Sequence, residues 1–215
     1  MDASLAAQLE SVPYAAATAV ALETYVASQI AEKSYDYTAN KALMKNYQLT
    51  SSLCKIDFVC KVLILSLMRL PNSDFLSLSY MIPTRIASDP NIAIIHKCAN
   101  SLERGQFREF WEQFLTAPDL FQEAAGFVDA IRLFIVSNLR DTFKNMPKDL
   151  FQQQLGLDEN SVAPFCESNK YIDKISGSVI EFCANGENQN KAVRDEALDM
   201  DEVIKVSCFL RAGQR

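Results

Sequence analysis

From Leu22 to about Phe143 the apolar residues recur at intervals of three and four, the spacing that lays them along one stripe of an α-helix. Leu22, Tyr25, Val26, Gln29 and Ile30 form the first stripe, which breaks near Lys33-Ser34. Ala39, Leu43 and Tyr47 form a second, with Asp36 placed to cap it. The two predict an antiparallel helix pair. Ile56, Val59, Val62, Leu63, Ser66, Leu67 and Leu70 make a long third stripe, widened by Phe58 and Leu65, so this helix is expected to be greasy on more than one side and central. Pro71 ends it, and Phe75, Leu78 and Ile82 continue on a fourth.

Asp89-Pro90 is a start signal: a capping carboxylate precedes a proline whose missing N–H would have had no partner in a first turn. Ile92, Ile95, Ala99 and Leu102 line the helix that follows, and Gly105 stops it. Phe107, Phe110, Trp111 and Phe114 then stand at i, i+3, i+4 and i+7. Pro118 opens a short turn, and Phe127, Ile131, Phe134 and Ile135 begin an amphipathic helix that reaches about Phe143. With only 6 glycines and 7 prolines in 215 residues, the chain lacks the turn chemistry of a sandwich or barrel. Successive hairpins of this rhythm predict a HEAT/TPR-like helical-repeat domain over residues 1–143.

After Met146-Pro147 the texture changes. Leu150, Phe151 and Leu155 mark a helix closed by Gly156, and Asp158 starts a second helix carrying Val162 and Phe165. Pro164 falls inside that second helix; a start delayed to Ser161 as cap removes the conflict. Val179-Ile180-Glu181-Phe182 reads as a strand, Asn185-Gly186 as a hairpin turn, and Gln189 to Val193 as the return strand. The tail from Leu198 through Val203, Ile204 and Phe209 reads as one more amphipathic helix. Residues 144–215 are therefore expected to form an α+β winged-helix domain, and the fold class is mainly α.

A winged helix that reads a duplex needs Lys or Arg on its second helix. From Asp158 to Asn169 there is none. Residues 129–215 hold 14 acids against 11 bases, so the C-terminal part carries no cationic excess within a chain of net charge −6. DNA binding is not expected. Lys170, Lys174, Lys191 and Arg194 flank the hairpin and are the candidates for a weak RNA contact, with solvated lysines as the competing reading. The exposed strand edge and helical faces instead suit protein partners. Val203, Ile204 and Phe209 are the candidate partner contacts, set against a tail that packs back on its own domain.

Catalysis finds little to work with. His96 is the only histidine, which rules out a zinc site built on several imidazoles. Cys98 lies two residues on, about 200° around a helix, so the two side chains diverge. The six cysteines never reach C-x-x-C spacing and read as reduced, mostly buried thiols; no metal or cofactor is expected. Glu109 and Glu112 fall on the polar face opposite the aromatic stripe, and that stripe lacks the interleaved cations of a base-stacking platform. Met1 to Ala17 carries Asp2 and Glu10 but no Lys or Arg, and Phe58 to Met68 is too short to span a bilayer, so neither a leader nor a membrane anchor is expected.

Leu22-Glu23-Thr24-Tyr25-Val26, Tyr35-Asp36 and the run Ala39-Asn40-Lys41-Ala42-Leu43-Met44-Lys45-Asn46-Tyr47-Gln48 resemble the N-terminal segment of the subunit k family of eukaryotic translation initiation factor three. Leu70-Pro71-Asn72-Ser73-Asp74-Phe75, Gln106-Phe107-Arg108-Glu109-Phe110-Trp111 and Gly126-Phe127-Val128-Asp129, with Ile131-Arg132 and Phe134-Ile135, follow in that family's order. The resemblance covers Leu22 to Leu157; beyond Asp158 it is one of pattern. It implies a PCI module, a helical repeat fused to a winged helix, as in proteasome-lid and signalosome subunits. It also implies a non-catalytic, cytoplasmic scaffold subunit that supports initiation on the small ribosomal subunit. Its partners would be other subunits of the factor, mainly subunit l through the C-terminal region. A lid or signalosome subunit, or an RNA-binding winged helix, remains the alternative.

Overall fold

A stretch in which almost every side chain is apolar has to sit where several helices can cover it, and Ile56–Leu67 is that stretch. In the computed structural model, which describes residues 15–186 and 204–205, this helix has Val59, Cys60 and all of Val62 to Leu67 buried. Packed around it are the helices Ala16–Glu32 (α1), Tyr37–Leu49 (α2), Asp74–Ser79 (α4) and Pro90–Glu103 (α5), with Ile56–Leu67 itself as α3. The chain goes on through Phe107–Phe114 (α6), Pro118–Gln122 (α7) and Phe127–Thr142 (α8). The described residues are thus mainly helical.

Local chemistry sets the ends of these helices. The Asp36 carboxylate accepts the Thr38 and Ala39 amides at 3.0 and 3.2 Å and so caps α2. Asp89 accepts the Asn91 amide at 2.9 Å with Pro90 in the first turn of α5. The fourth helix stops at Ser79, so Ile82 lies in the following turn.

Two buried polar knots fasten the α1–α2 pair. Gln29 and Asn40 exchange side-chain amide hydrogen bonds at 3.1 and 3.2 Å, and Gln29 Oε1 also accepts the Asp36 amide. Glu23, whose side chain is only 8% exposed, accepts the Tyr47 hydroxyl at 2.6 Å and pairs with Lys55. A carboxylate buried this deeply is tolerated because both partners satisfy it.

Beyond α8 the chain forms the strand Asn145–Pro147 (β1), helices Lys148–Leu155 (α9) and Glu159–Ser168 (α10), and strands Ile172–Ser176 (β2) and Val179–Phe182 (β3). The sheet is antiparallel with order β1-β3-β2. This corrects the sequence expectation for the hairpin. The strand at Val179–Phe182 is present, but its partner is the preceding segment, through the two-residue loop Gly177-Ser178, in which Gly177 takes a φ of +61°. The expected return strand, Gln189 to Val193, lies outside the described residues. Nor does Ser161 cap α10: the helix starts at Glu159 and keeps Pro164 inside it, with the Ser161 amide bonded to Asp158 O at 2.9 Å. Pro164 is exposed and forgoes a single hydrogen bond in this amphipathic helix, whose Val162 and Cys166 are buried.

The carbonyl end of α9 is held from outside. Trp111 Nε1 donates to Gln154 O at 2.9 Å; Arg132 donates through Nε to Leu155 O at 3.2 Å and through Nη2 to Gly156 O at 3.0 Å. The guanidinium lies 5.6 Å from the Trp111 ring centre, so α6 and α8 together clasp the end of α9. Gly156, at φ +57°, lies against that ring: a Cβ there would meet Trp111 at 2.9 Å.

Two outcomes follow from these knots. Tyr47→Phe leaves the Glu23 carboxylate with Lys55 alone and is expected to lower unfolding stability by about 1–3 kcal/mol. In a Glu23→Gln background the same change costs clearly less, as read by urea denaturation. Gly156→Ala adds a clash with Trp111 to its positive-φ penalty. It is expected to cost more than Gly105→Ala, which bears only the φ penalty of about 1–2 kcal/mol because nothing lies within 4 Å of its Cβ position. Equal losses for the two variants would contradict the clasp.

Candidate interaction surfaces

The titratable groups singled out in the sequence are dispersed. His96 is half-buried, edge-on to Phe75 with ring centres 5.6 Å apart, and burial lowers its pKa. Cys98 is fully buried and its thiol is pushed up to about 12 by that burial, as is that of Cys60, where nearby Asp89 and Asp57 add to the effect. Burial also raises Cys54 and Cys166. These thiols stay protonated near neutral pH and are poor nucleophiles. Glu109 accepts Gln106 Nε2 at 3.0 Å and Glu112 faces Arg108 at 3.7 Å, both on the exposed side of α6. Among the described residues no group of three or more His, Cys, Asp or Glu is arranged to hold a metal ion.

The aromatic stripe of α6 is spent on packing. Phe107 and Phe110 are buried; Phe114 stacks on Phe127 at 6.1 Å and 9° and lies 5.3 Å from Phe121, while Trp111 serves the α9 clasp.

What the C-terminal elements expose is mostly uncharged or acidic. On α10 the outward residues are Glu159, Asn160, Ala163, Pro164, Glu167 and Ser168. Among the described residues strand β2 pairs with β3 alone, so its other side is a sheet edge there. An extra residue, Asp173, interrupts the β2–β3 register between Ile172 and Lys174, a β-bulge that puts Ile172 and Ile175 on the face shared by Ile180 and Phe182. The edge is thereby twisted and charged, a form that limits promiscuous pairing.

Of the candidate cations, Lys170 and Lys174 are exposed. Lys170 sits 5.3 Å over Tyr171, and Lys174 pairs with Glu181 at 3.4 Å, whose carboxylate also accepts the Ser176 hydroxyl. Lys191 and Arg194 lie outside the described residues. Of the candidate partner contacts, Ile204 is helical and 55% exposed; Val203 and Phe209 lie outside the described residues.

Sequence reasoning missed the surface beside the α5–α6 corner. A groove of about 530 Å³ opens between the α5–α6 corner, the end of α8 and the start of α9, floored by Leu102, Phe107 and Leu139. Phe143 and Leu150 stand on its rim, 44% and 46% exposed. Its residues come from distant parts of the chain, so no local pattern announced it.

Residues 54–191 match the model of the CSN8/PSMD8/EIF3K family. The chain is also similar to curated proteins named eukaryotic translation initiation factor 3 subunit K. The one from Drosophila erecta is 30% identical over 183 residues, 85% of this chain and 82% of the relative. That of Dictyostelium discoideum is 33% identical over 180 residues, 83% and 73% of the two chains. The Drosophila grimshawi protein is 35% identical over 140 residues, 65% and 63%. A family match over more than half the chain, joined to relatives this similar over most of their length, places the protein: it belongs to the CSN8/PSMD8/EIF3K family, beside the subunit K proteins of eukaryotic translation initiation factor 3.

Proposed function

We propose that this chain is a non-catalytic scaffold subunit of eukaryotic translation initiation factor 3, working in the cytoplasm in support of initiation on the small ribosomal subunit. Residues 1–143 are read as a helical-repeat domain and residues 144–215 as a winged helix. In support of the second, strand, helix, helix, strand and strand follow one another from β1 to β3 around an antiparallel sheet. The observation that carries the proposal is the outer face of α10, which offers two glutamates and no cation where a duplex-reading winged helix would carry Lys or Arg. Such a module is left with its β2 edge and its tail for holding other polypeptides. Subunit l is the principal partner in this reading, engaged through the C-terminal region with Val203, Ile204 and Phe209.

The family takes its name from signalosome and proteasome-lid subunits as well, but the relatives described above are all initiation-factor proteins. No helix among the described residues is long and apolar enough to cross a membrane. A weak RNA contact at Lys170, Lys174, Lys191 and Arg194 is the second reading, favoured by the exposure of Lys170 and Lys174. It requires that charge reversal of the four abolish a salt-sensitive affinity.

Affinity purification of the tagged chain, read by mass spectrometry, is expected to recover initiation factor 3 subunits, subunit l foremost; recovery of lid or signalosome subunits instead overturns the proposal. Removing residues 198–215 is expected to deplete subunit l by at least about tenfold, the equivalent of some 1.4 kcal/mol. The helical part should keep its thermal unfolding transition. Undiminished co-purification removes the tail from the interface.

A further inference from the structure

The turn that joins α1 to α2 is held in an unusual form. Lys33 has a φ of +54°, the one positive value among the described non-glycine residues, and the Ser34 amide bonds back to Gln29 O at 3.0 Å. This brings Lys33, Ser34 and Tyr35 beside the end of α3, where the Arg69 guanidinium lies 5.2 Å over the Tyr35 ring. Between them and the Ala124-Ala125 turn that leads into α8 is a cleft of about 160 Å³. Leu65, Met68 and Ala130 supply apolar wall.

The polar side chains with free capacity in this cleft can all donate, and two of them are cations. The Lys33 ammonium, the Ser34 hydroxyl and the Arg69 guanidinium have no hydrogen-bond acceptor and no carboxylate within 4 Å among the described residues. Three acids on the neighbouring elements have partners of their own. Asp74 accepts the Tyr35 hydroxyl at 2.9 Å, Glu123 pairs with Lys61 at 3.0 Å, and Asp129 acts on Arg132. Arg69 is also pre-set by its stacking on Tyr35, so less side-chain freedom is lost when it engages an acceptor.

We infer that this cleft receives a glutamate side chain from a protein partner, its carboxylate on Arg69 and Lys33 and its methylenes against Leu65, Met68 and Ala124. A bidentate carboxylate–guanidinium contact suits the planar fork of Arg69. The small volume and apolar wall match an acidic side chain with a short hydrocarbon stem. A polynucleotide is disfavoured because it needs a track of cations, and among the described residues the cleft lining holds only these two. The cleft is built by the N-terminal helices, on elements other than the tail and β2 edge proposed above for subunit l. It therefore supplies a separate contact, and rests on the scaffold reading only in that a partner protein carries the glutamate.

The test uses the full-length ¹⁵N-labelled chain titrated with acetyl-Ala-Glu-Ala-amide, with the glutamine analogue and inorganic phosphate in parallel. The glutamate peptide is expected to shift the amides of Ser34, Arg69, Ala125 and Ala130, and the glutamine analogue to leave them in place. Arg69→Gln should weaken the response by about tenfold, and Lys33→Gln with Arg69→Gln should abolish it. Lys170→Gln with Lys174→Gln should have no effect. Equal shifts from the glutamine peptide, shifts that survive the double substitution, or saturation of the same amides by phosphate at lower concentration than by the peptide each overturn the inference. None of these readouts involves other initiation factor subunits, so a failed purification of the complex and a failed titration are separate results.

Discussion

The carbonyl end of α9 is the point on which the arrangement of this protein turns. A helix that ends leaves its last carbonyls without intrahelical donors and presents the negative end of its dipole. Here the chain folds back so that the Leu157 amide reaches Gln152 O at 3.2 Å, and the next carbonyls are taken over by Trp111 and Arg132. The donors come from α6 and α8 of the helical part, so satisfying the end of α9 also fixes where the C-terminal elements sit. Glycine at position 156 is needed twice over, for its positive φ and for the absence of a Cβ against the Trp111 ring.

That contact works together with a short covalent link. Only Phe143 and Lys144 separate α8 from β1, and β1 is the strand that receives the hairpin: Met146 pairs with Ile180, the Phe182 amide bonds to Lys144 O, and the Lys148 amide bonds to Ser178 O. The sheet therefore begins in the chain that has just left the stack. Met146, Ile180 and Phe182 join the same buried cluster as Phe107, Phe110 and Leu139. A sheet so anchored presents β2 at a fixed position relative to the helices, which is what an edge needs if it is to meet a partner in one register.

The helical part of this fold was legible because every stripe is written locally. Asp36 and Asp89 cap the helices they were expected to cap, and Pro118 opens the short α7. The sheet was legible only at β3. Strand β2 escaped because its two apolar residues, Ile172 and Ile175, are three apart, a helical spacing; the bulge at Asp173 is what brings them to one face, and a bulge has no periodic signature. Gly177-Ser178 was the turn signal for that hairpin, outweighed in the sequence by Asn185-Gly186. Strand β1, three residues long and ending in proline, has no pattern to read. Pro164 misled in the opposite direction, since the penalty for an exposed mid-helix proline did not outweigh burying Val162 and Cys166.

The candidate surfaces divide in the same way. Lys170, Lys174 and Ile204 are exposed as single residues, and single residues are what a sequence displays. The groove beneath Phe143 and Leu150 and the cleft beside Arg69 are assembled from three or four elements each, and their character depends on which charges have already been consumed. Glu23 and Asp74 accept tyrosine hydroxyls and Glu123 pairs with Lys61 at the surface, while Lys33 and Arg69 keep donors to offer although the chain as a whole is acidic. Net charge describes how a protein meets a distant polymer; the balance of satisfied and unsatisfied groups in one cleft decides what it holds at contact. For a chain in which burial raises the thiols of Cys54, Cys60, Cys98 and Cys166 and the only histidine is packed against Phe75, specificity for other polypeptides has to come from that balance, and the donors left over at Arg69 and Lys33 are where it favours an acid.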